Sequence, residues 1–293
     1  MATAQPRTAF VFAGGGSFGA VQVGMLQALM AHGVHADFVV GASVGAINGA
    51  YFAGRPNAPG VASLMTLWEG LSRKDVFPVT WRSLLGMLRG AGGLVGSEGV
   101  RRLLERHLPY RNLEDAAIPM YVAATNVLSG ELEIFSKGPA IPAIVASAAI
   151  PAAFAPVWHD LKYLVDGALT SNTPVKVAMT EGAERIIVLP TGYACALMRP
   201  PQGPVASALH AISVLIARQL ANEVESVKEK VELRIVPPLC PLTGSAYDFS
   251  QTRLLMQRAG EVAEQWISSG GLSHYDMPGA LKAHSSSSRR KAR

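Results

Sequence analysis

Ser43 and Asp166, with two glycine-rich loops, are the residues whose types and spacing could do chemistry. Gly41-Ala42-Ser43-Val44-Gly45 fits G-x-S-x-G, a pattern that holds a hydroxyl nucleophile on a tight strand-to-helix turn, its glycines letting neighbouring backbone close in. An apolar run at residues 38–40 precedes it and helix-like spacing over residues 46–53 follows. Ser43 is therefore expected at the carboxyl end of a strand, with the Val44 amide pointing where an oxyanion would form. Asp166-Gly167 follows the apolar run 163–165, so a carboxylate at the end of a second strand could face Ser43. Taken alone, Asp-Gly is more ordinarily a turn. As a base, an aspartate with a pKa near 3.9 is weak, and burial in an apolar site would strengthen it.

The earlier loop, Gly14-Gly15-Gly16-Ser17-Phe18-Gly19, admits two readings. It fits G-x-G-x-x-G between a strand and a helix, the dinucleotide-binding fingerprint, which would make the chain a nucleotide-dependent oxidoreductase. That fold wants an acid at the end of the second strand, whereas Asp37 comes before that strand and the Gly-Ala-Ser turn occupies the place. Adjacent parallel strands would instead bring the loop beside Ser43, where bare glycine amides could serve as an oxyanion hole. Histidine is the usual base for a serine. Of seven histidines, His159 in Pro156-Val157-Trp158-His159-Asp160 is the one that could complete a Ser-His-Asp triad. No His, Cys or carboxylate cluster stands at metal spacing, and Cys195 and Cys240 are far apart, so no metal, cofactor or disulfide is expected.

These motifs need a scaffold, and the periodicity supplies one. Strand-like runs at residues 8–13, 38–40, 120–125, 131–135, 185–189 and 232–236, with helical patterns at 20–32, 46–53, 205–230 and 252–269, predict a β-α-β-α start and a largely parallel sheet covered on both faces. The 293 residues suffice for one such domain over residues 8–270. Residues 76–97, rich in Gly, Leu and Trp, read as an insertion on the sheet edge or as a lid or interfacial patch. Residues 271–293 form a Ser-rich basic tail, expected to be disordered. Five of the 26 basic residues, Lys282, Arg289, Arg290, Lys291 and Arg293, and no acid lie in residues 282–293, so the remainder of the chain balances 21 basic against 21 acidic residues. That balance argues against a nucleic-acid partner, while the tail could make peripheral contact with an anionic membrane. No run is long enough to span a bilayer and no signal peptide is read, so a cytoplasmic protein is expected.

Taken together and in order, Gly14-Gly15-Gly16-Ser17-Phe18-Gly19, Gly41-Ala42-Ser43-Val44-Gly45 and Asp166-Gly167-Ala168 resemble the three signatures of patatin-like phospholipases. The block at residues 146–157, with Thr125-Asn126, Ser129-Gly130, Asn172 and Pro174, adds to the similarity, which runs from about residue 10 to about 189. The resemblance implies a three-layer α/β/α fold and a Ser-Asp dyad that cleaves lipid acyl esters through an acyl-serine intermediate without a metal. Carried over, Ser43 is the nucleophile and Asp166 the base. Gly14, Gly15, Gly16 and Val44 form the oxyanion hole, and Gly19, Gly41, Gly45 and Gly167 support the turns. Phe18 stands where the family usually carries Arg or Lys. Two readings are open: the ring offers an apolar wall to an acyl chain and favours uncharged esters, or it packs into the helix that follows and never meets substrate. A non-catalytic lipid-binding protein of the same fold is the remaining alternative.

Overall fold

Apolar runs rich in β-branched and aromatic residues form the centre of the sheet, as their composition dictates. In the computed structural model, which describes residues 6–77, 96–151, 153–192, 202–239, 242 and 245–274, these are β1 (Thr8–Phe12), β2 (Phe38–Ala42), β3 (Met120–Asn126), β4 (Leu132–Phe135), β5 (Val157–His159), β6 (Lys162–Asp166), β7 (Arg185–Leu189) and β8 (Glu232–Ile235). Hydrogen-bonded neighbours follow the path β5-β6-β3-β2-β1-β7-β8, with β4 also on β3. The pairs among β3, β2, β1, β7 and β8 are parallel. The pairs involving β4, β5 and β6 are antiparallel.

Alternate residues along each strand feed two cores, the signature of a sheet covered on both faces. Phe10, Phe12, Val39 and Ile187 pack with α1 (Gly19–Ala31), α2 (Val44–Gly54), α3 (Ala58–Gly70) and the helices Ala140–Ser147 and Thr252–Ser268. Ala9, Val11, Val40 and Ile186 pack with the helices Val175–Thr180 and Pro204–Val227. The result is the expected three-layer α/β/α arrangement. α1 is buried nearly all round because it lies between the sheet and the helix Thr252–Ser268, so it needs no polar face. At Gly24 a methyl group would stand 2.0 Å from the Met256 carbonyl oxygen.

Several elements escaped the sequence reading. α3 is one, although its start is marked locally: the Asn57 side chain accepts from the Gly60 amide at 2.8 Å, and Pro59 occupies the first turn. The helix Ala140–Ser147 is another, whereas Glu98–His107 is the charged helical stretch that the sequence indicates around His107. β5 and β6 form a hairpin whose turn residues, Asp160 and Leu161, both have left-handed backbone. The tail at residues 275–293, and residues 78–95 of the expected lid, lie outside the described residues.

Glycine contacts lead to a stability prediction. A methyl on Gly45 would stand 2.3 Å from the Phe12 carbonyl oxygen, whereas one on Gly70, at the end of α3, would meet nothing within 4 Å. Gly45→Ala should therefore cost about 1–3 kcal/mol through overpacking, and Gly70→Ala should be neutral or stabilising. Equal thermal melting points for the two variants would contradict this.

Candidate active site

The site begins with a strained turn. Ser43 joins β2 to α2 with φ 56° and ψ −130°, a conformation that costs a non-glycine residue of order 1–3 kcal/mol. Neighbouring residues make room for it. A methyl on Gly41 would stand 2.5 Å from the Gly45 carbonyl oxygen, and Gly45 itself packs against the end of β1. The Ser43 amide donates to Ser147 Oγ at 2.9 Å, and Ser147 Oγ donates to the Ala123 carbonyl at 2.6 Å. Ser147, near the end of the helix Ala140–Ser147, thereby ties the turn to β3.

The placement of Asp166 follows from the register of β3. Val122 and Ala123 pair with β4 on one side and β2 on the other, the last β2 pair being Ala42 with Ala123. One residue further along, Ala124 pairs with Glu133 of β4 and with Asp166 of β6. β2 and β6 therefore occupy the same edge of β3, run in opposite directions and meet end to end. Ser43 and Asp166 are the residues where they meet, and Ser43 Oγ donates to Asp166 Oδ2 at 2.6 Å. Asp166 Oδ1 accepts from the Ala168 amide at 2.8 Å, while its backbone is held by the Ala149 carbonyl and by Thr125 Oγ1. Gly167 is required there, since a methyl would stand 2.2 Å from the Ala123 carbonyl oxygen.

The glycine loop lies beside this pair, in contact with it through Gly14. A methyl on Gly14 would be 3.0 Å from Ser43 Cβ. Its amide, however, donates to the Asn172 carbonyl at 2.9 Å. Gly14 therefore serves by close approach, and the expectation that it donates to an oxyanion is corrected. The amides of Gly15, Gly16 and Val44 take part in none of the hydrogen bonds among the described residues. The loop is pinned by Thr191 Oγ1 donating to the Gly14 carbonyl and by the Ser17 amide donating to the Ala246 carbonyl. A buried amide network braces it from below. Gln22 donates to the Ala13 and Leu189 carbonyls, Asn48 to the Gly19 carbonyl and to Gln22, and Trp68 to Asn48. Ser147, Gln22, Asn48 and Thr191 were missed as site residues because their partners are distant in sequence. For Ser147 alone a signal existed, its place in the block before the aspartate motif.

Other expectations resolve differently. Asp37 accepts from the Thr8 amide at 2.6 Å, at the start of β1 and β2, the end of the strands opposite the glycine loop, so it is not placed to hold a ribose. His159 is half-buried in β5 with its ring 5.0 Å from that of Phe135, and it makes no hydrogen bond to Ser43 or Asp166. Phe18 is half-buried against the larger core and does not line the channel described next, so of its two readings the packed one fits and the wall does not. Among the described residues no group of three or more His, Cys, Asp or Glu could hold a metal ion, and no helix is long and apolar enough to cross a membrane.

From Ser43 an apolar channel follows one face of α2. Val44, Ile47 and Tyr51 line that face, and Leu64, Trp68, Phe77, Leu104 and Phe154 are among the residues that enclose it. Apart from Ser43, His107 and the Tyr51 hydroxyl, the wall is almost wholly aliphatic and aromatic. Ser43 to Tyr51 spans about 12 Å at the helical rise.

The chain belongs to the patatin-like phospholipase family, whose model matches residues 10–179. A putative patatin-like phospholipase domain-containing protein of Caenorhabditis elegans is 28% identical over 188 residues, which are 62% of this chain and 16% of that protein. A lysophospholipase of Candida albicans is 25% identical over 182 residues, 62% of this chain and 13% of that protein. The match thus spans less than a fifth of the length of these curated relatives. Among solved structures, human GIVD cytosolic phospholipase A2 in complex with methyl gamma-linolenyl fluorophosphonate shares the fold. It has a TM-score of 0.53 and 14% identity, over 94% of this chain and 59% of that one.

Burial gives Asp166 a measurable signature. Desolvation raises its pKa from 3.8 to about 6, outweighing the hydrogen bonds from Ser43 and Ala168 that favour the anion. The folded protein thus holds this proton more tightly than the unfolded chain does. The contribution to stability is fullest below pH 4, is lost as pH rises toward 6, and stays lost above it. The difference corresponds to about 3 kcal/mol. Asp166→Asn, which carries no charge, should be more stable than wild type by up to that amount at pH 8 and by little at pH 4. Urea unfolding at the two pH values tests this, and an equal effect at both would refute it.

Proposed function

We propose that the protein is a lipid acyl hydrolase in which Ser43 is the nucleophile and Asp166 the base. The observation that carries this is the 2.6 Å hydrogen bond from Ser43 Oγ to Asp166 Oδ2, made by a strained serine at the head of an apolar channel. Ser43 Oγ attacks the ester carbonyl while its proton passes to Asp166. Collapse of the tetrahedral adduct breaks the bond to the leaving alcohol, which takes the proton from Asp166. Water then attacks the acyl-serine and gives a proton to Asp166. Release of the carboxylic acid returns that proton to Ser43. The amides of Gly15, Gly16 and Val44 serve as oxyanion donors, and an acyl chain occupies the channel along α2.

The family assignment supports this reading, as do the lysophospholipase among the relatives and a phospholipase sharing the fold. The substrate class is a carboxylic ester with an acyl chain, presented by a lipid assembly that the protein contacts peripherally. A base with a pKa of about 6 would be largely ionised, and so competent, at neutral pH.

Two sets of measurements test the proposal, one of the dyad and one of the channel. Ser43→Ala and Asp166→Ala should each abolish turnover of a soluble ester, with the double variant no worse, because the two act as a unit. For wild type, kcat/KM should fall below an apparent pKa near 6. A turnover-competent Asp166→Ala would sink the dyad. Secondly, lengthening the acyl group of the ester should raise kcat/KM by roughly fourfold per methylene, from about 0.8 kcal/mol each, until the channel is filled. Ile47→Trp should shorten the preferred chain while retaining turnover of an acetate ester. A flat chain-length profile would remove the channel from the acyl site.

A further inference from the structure

We infer that Asn172 supplies a side-chain hydrogen bond to the oxyanion, in addition to the backbone amides; the inference rests on the Ser43 and Asp166 reading. Asn172 is 2% exposed, yet among the described residues neither Nδ2 nor Oδ1 has a hydrogen-bond partner. Buried amides are nearly always satisfied, and one left open at both ends is costly. Its position is unusual as well. A methyl on Gly14 would stand 2.5 Å from Asn172 Oδ1, 3.0 Å from Ser43 Cβ and 3.4 Å from Ala168 Cβ. The amide and the serine therefore flank one point on the glycine loop, beside the residue after the Asp-Gly pair.

The backbone keeps Asn172 there. Its carbonyl accepts from the Gly14 amide, the same bond that removes Gly14 from the oxyanion donors. Ser171 donates to the buried Glu223, which also accepts from the amides of Val175 and Lys176. The segment on both sides of Asn172 is thus anchored while its side chain is left uncommitted. Since no partner selects either end of the amide, a half-turn of its terminal torsion presents Nδ2 to the loop. An amide donor kept free until negative charge develops on the substrate is the arrangement that stabilises a transition state more than a ground state.

The experiment compares Asn172→Ala, Asn172→Asp and Asn172→Leu with wild type and Ser43→Ala on a soluble ester. Asn172→Ala should lower kcat by about 100- to 1000-fold, the loss typical of one oxyanion donor, with KM changed less than threefold. Binding of a trifluoromethyl ketone, which forms a tetrahedral adduct with serine, should weaken in parallel with kcat/KM. Asn172→Asp fills the same space without the donor and should be at least as slow as Asn172→Ala at pH 8. Because an unsatisfied amide is removed, Asn172→Leu should melt no lower than wild type while being as slow. An Asn172→Ala or Asn172→Asp variant with near wild-type kcat would overturn the inference and leave the dyad standing, as would melting points that fall with turnover preserved. An ester-inactive wild type would overturn both.

Discussion

The edge of β3 is the constraint from which the site follows. A strand edge has one line of hydrogen-bonding groups, and here two strands share it: β2 as far as Ala123 and β6 from Ala124 onward. Because β2 runs toward the junction and β6 also runs toward it, both chains must turn away at the same level. A side chain on each turn is thereby brought into contact without any long flexible reach. The Ser43 to Asp166 distance is set by backbone pairing, which is stiff, rather than by side-chain rotamers, which are not. Ser147 accepts from the Ser43 amide on the β2 side and, through its carbonyl, from the Gly167 amide on the β6 side, while its hydroxyl donates to Ala123 of β3, so the level at which the strands meet is fixed as well.

That junction is crowded, and crowding explains the glycines better than flexibility does. Gly41, Gly45 and Gly167 each lie where a methyl would overlap a carbonyl oxygen of a neighbouring segment. Removing side chains lets the end of β1, the Ser43 turn and β3 approach closely enough for the strained serine to be held. The amide network of Gln22, Asn48 and Trp68 then adds side-chain hydrogen bonds to the Ala13 and Leu189 carbonyls at the ends of β1 and β7. Buried polar groups here do not decorate the core. They secure the glycine loop that packs beside Ser43.

The apolar surroundings have two consequences with one cause. Withdrawal of water from Asp166 destabilises its charge and raises its pKa. The same exclusion of water leaves the channel along α2 lined almost wholly by aliphatic and aromatic side chains. A site suited to an acyl chain is therefore also one in which an aspartate becomes a better base. Phe18, which one of its two sequence readings made the apolar wall, lies against the core instead, and the wall comes from α2, α3 and helices further along the chain.

What the sequence by itself determined is local. The glycine spacing around Ser43, the apolar runs before Ser43 and Asp166, and the alternation that builds a sheet covered on both faces depend on steric limits and burial over a few adjacent residues. Each was legible for that reason. The motif resemblance in the chain singled out Asp166, 123 residues from Ser43, but its hydrogen-bonding contact with Ser43 is tertiary, since that depends on which edge of β3 receives β6 and in which register. Tertiary structure alone decided that Gly14 gives its amide to Asn172, that Ser147 ties the turn to β3, and that α3 and the helix Glu98–His107 enclose the channel. A hydrogen bond or a packed wall between distant segments leaves no periodicity in the chain. It exists only once strand register has brought the segments to the same place.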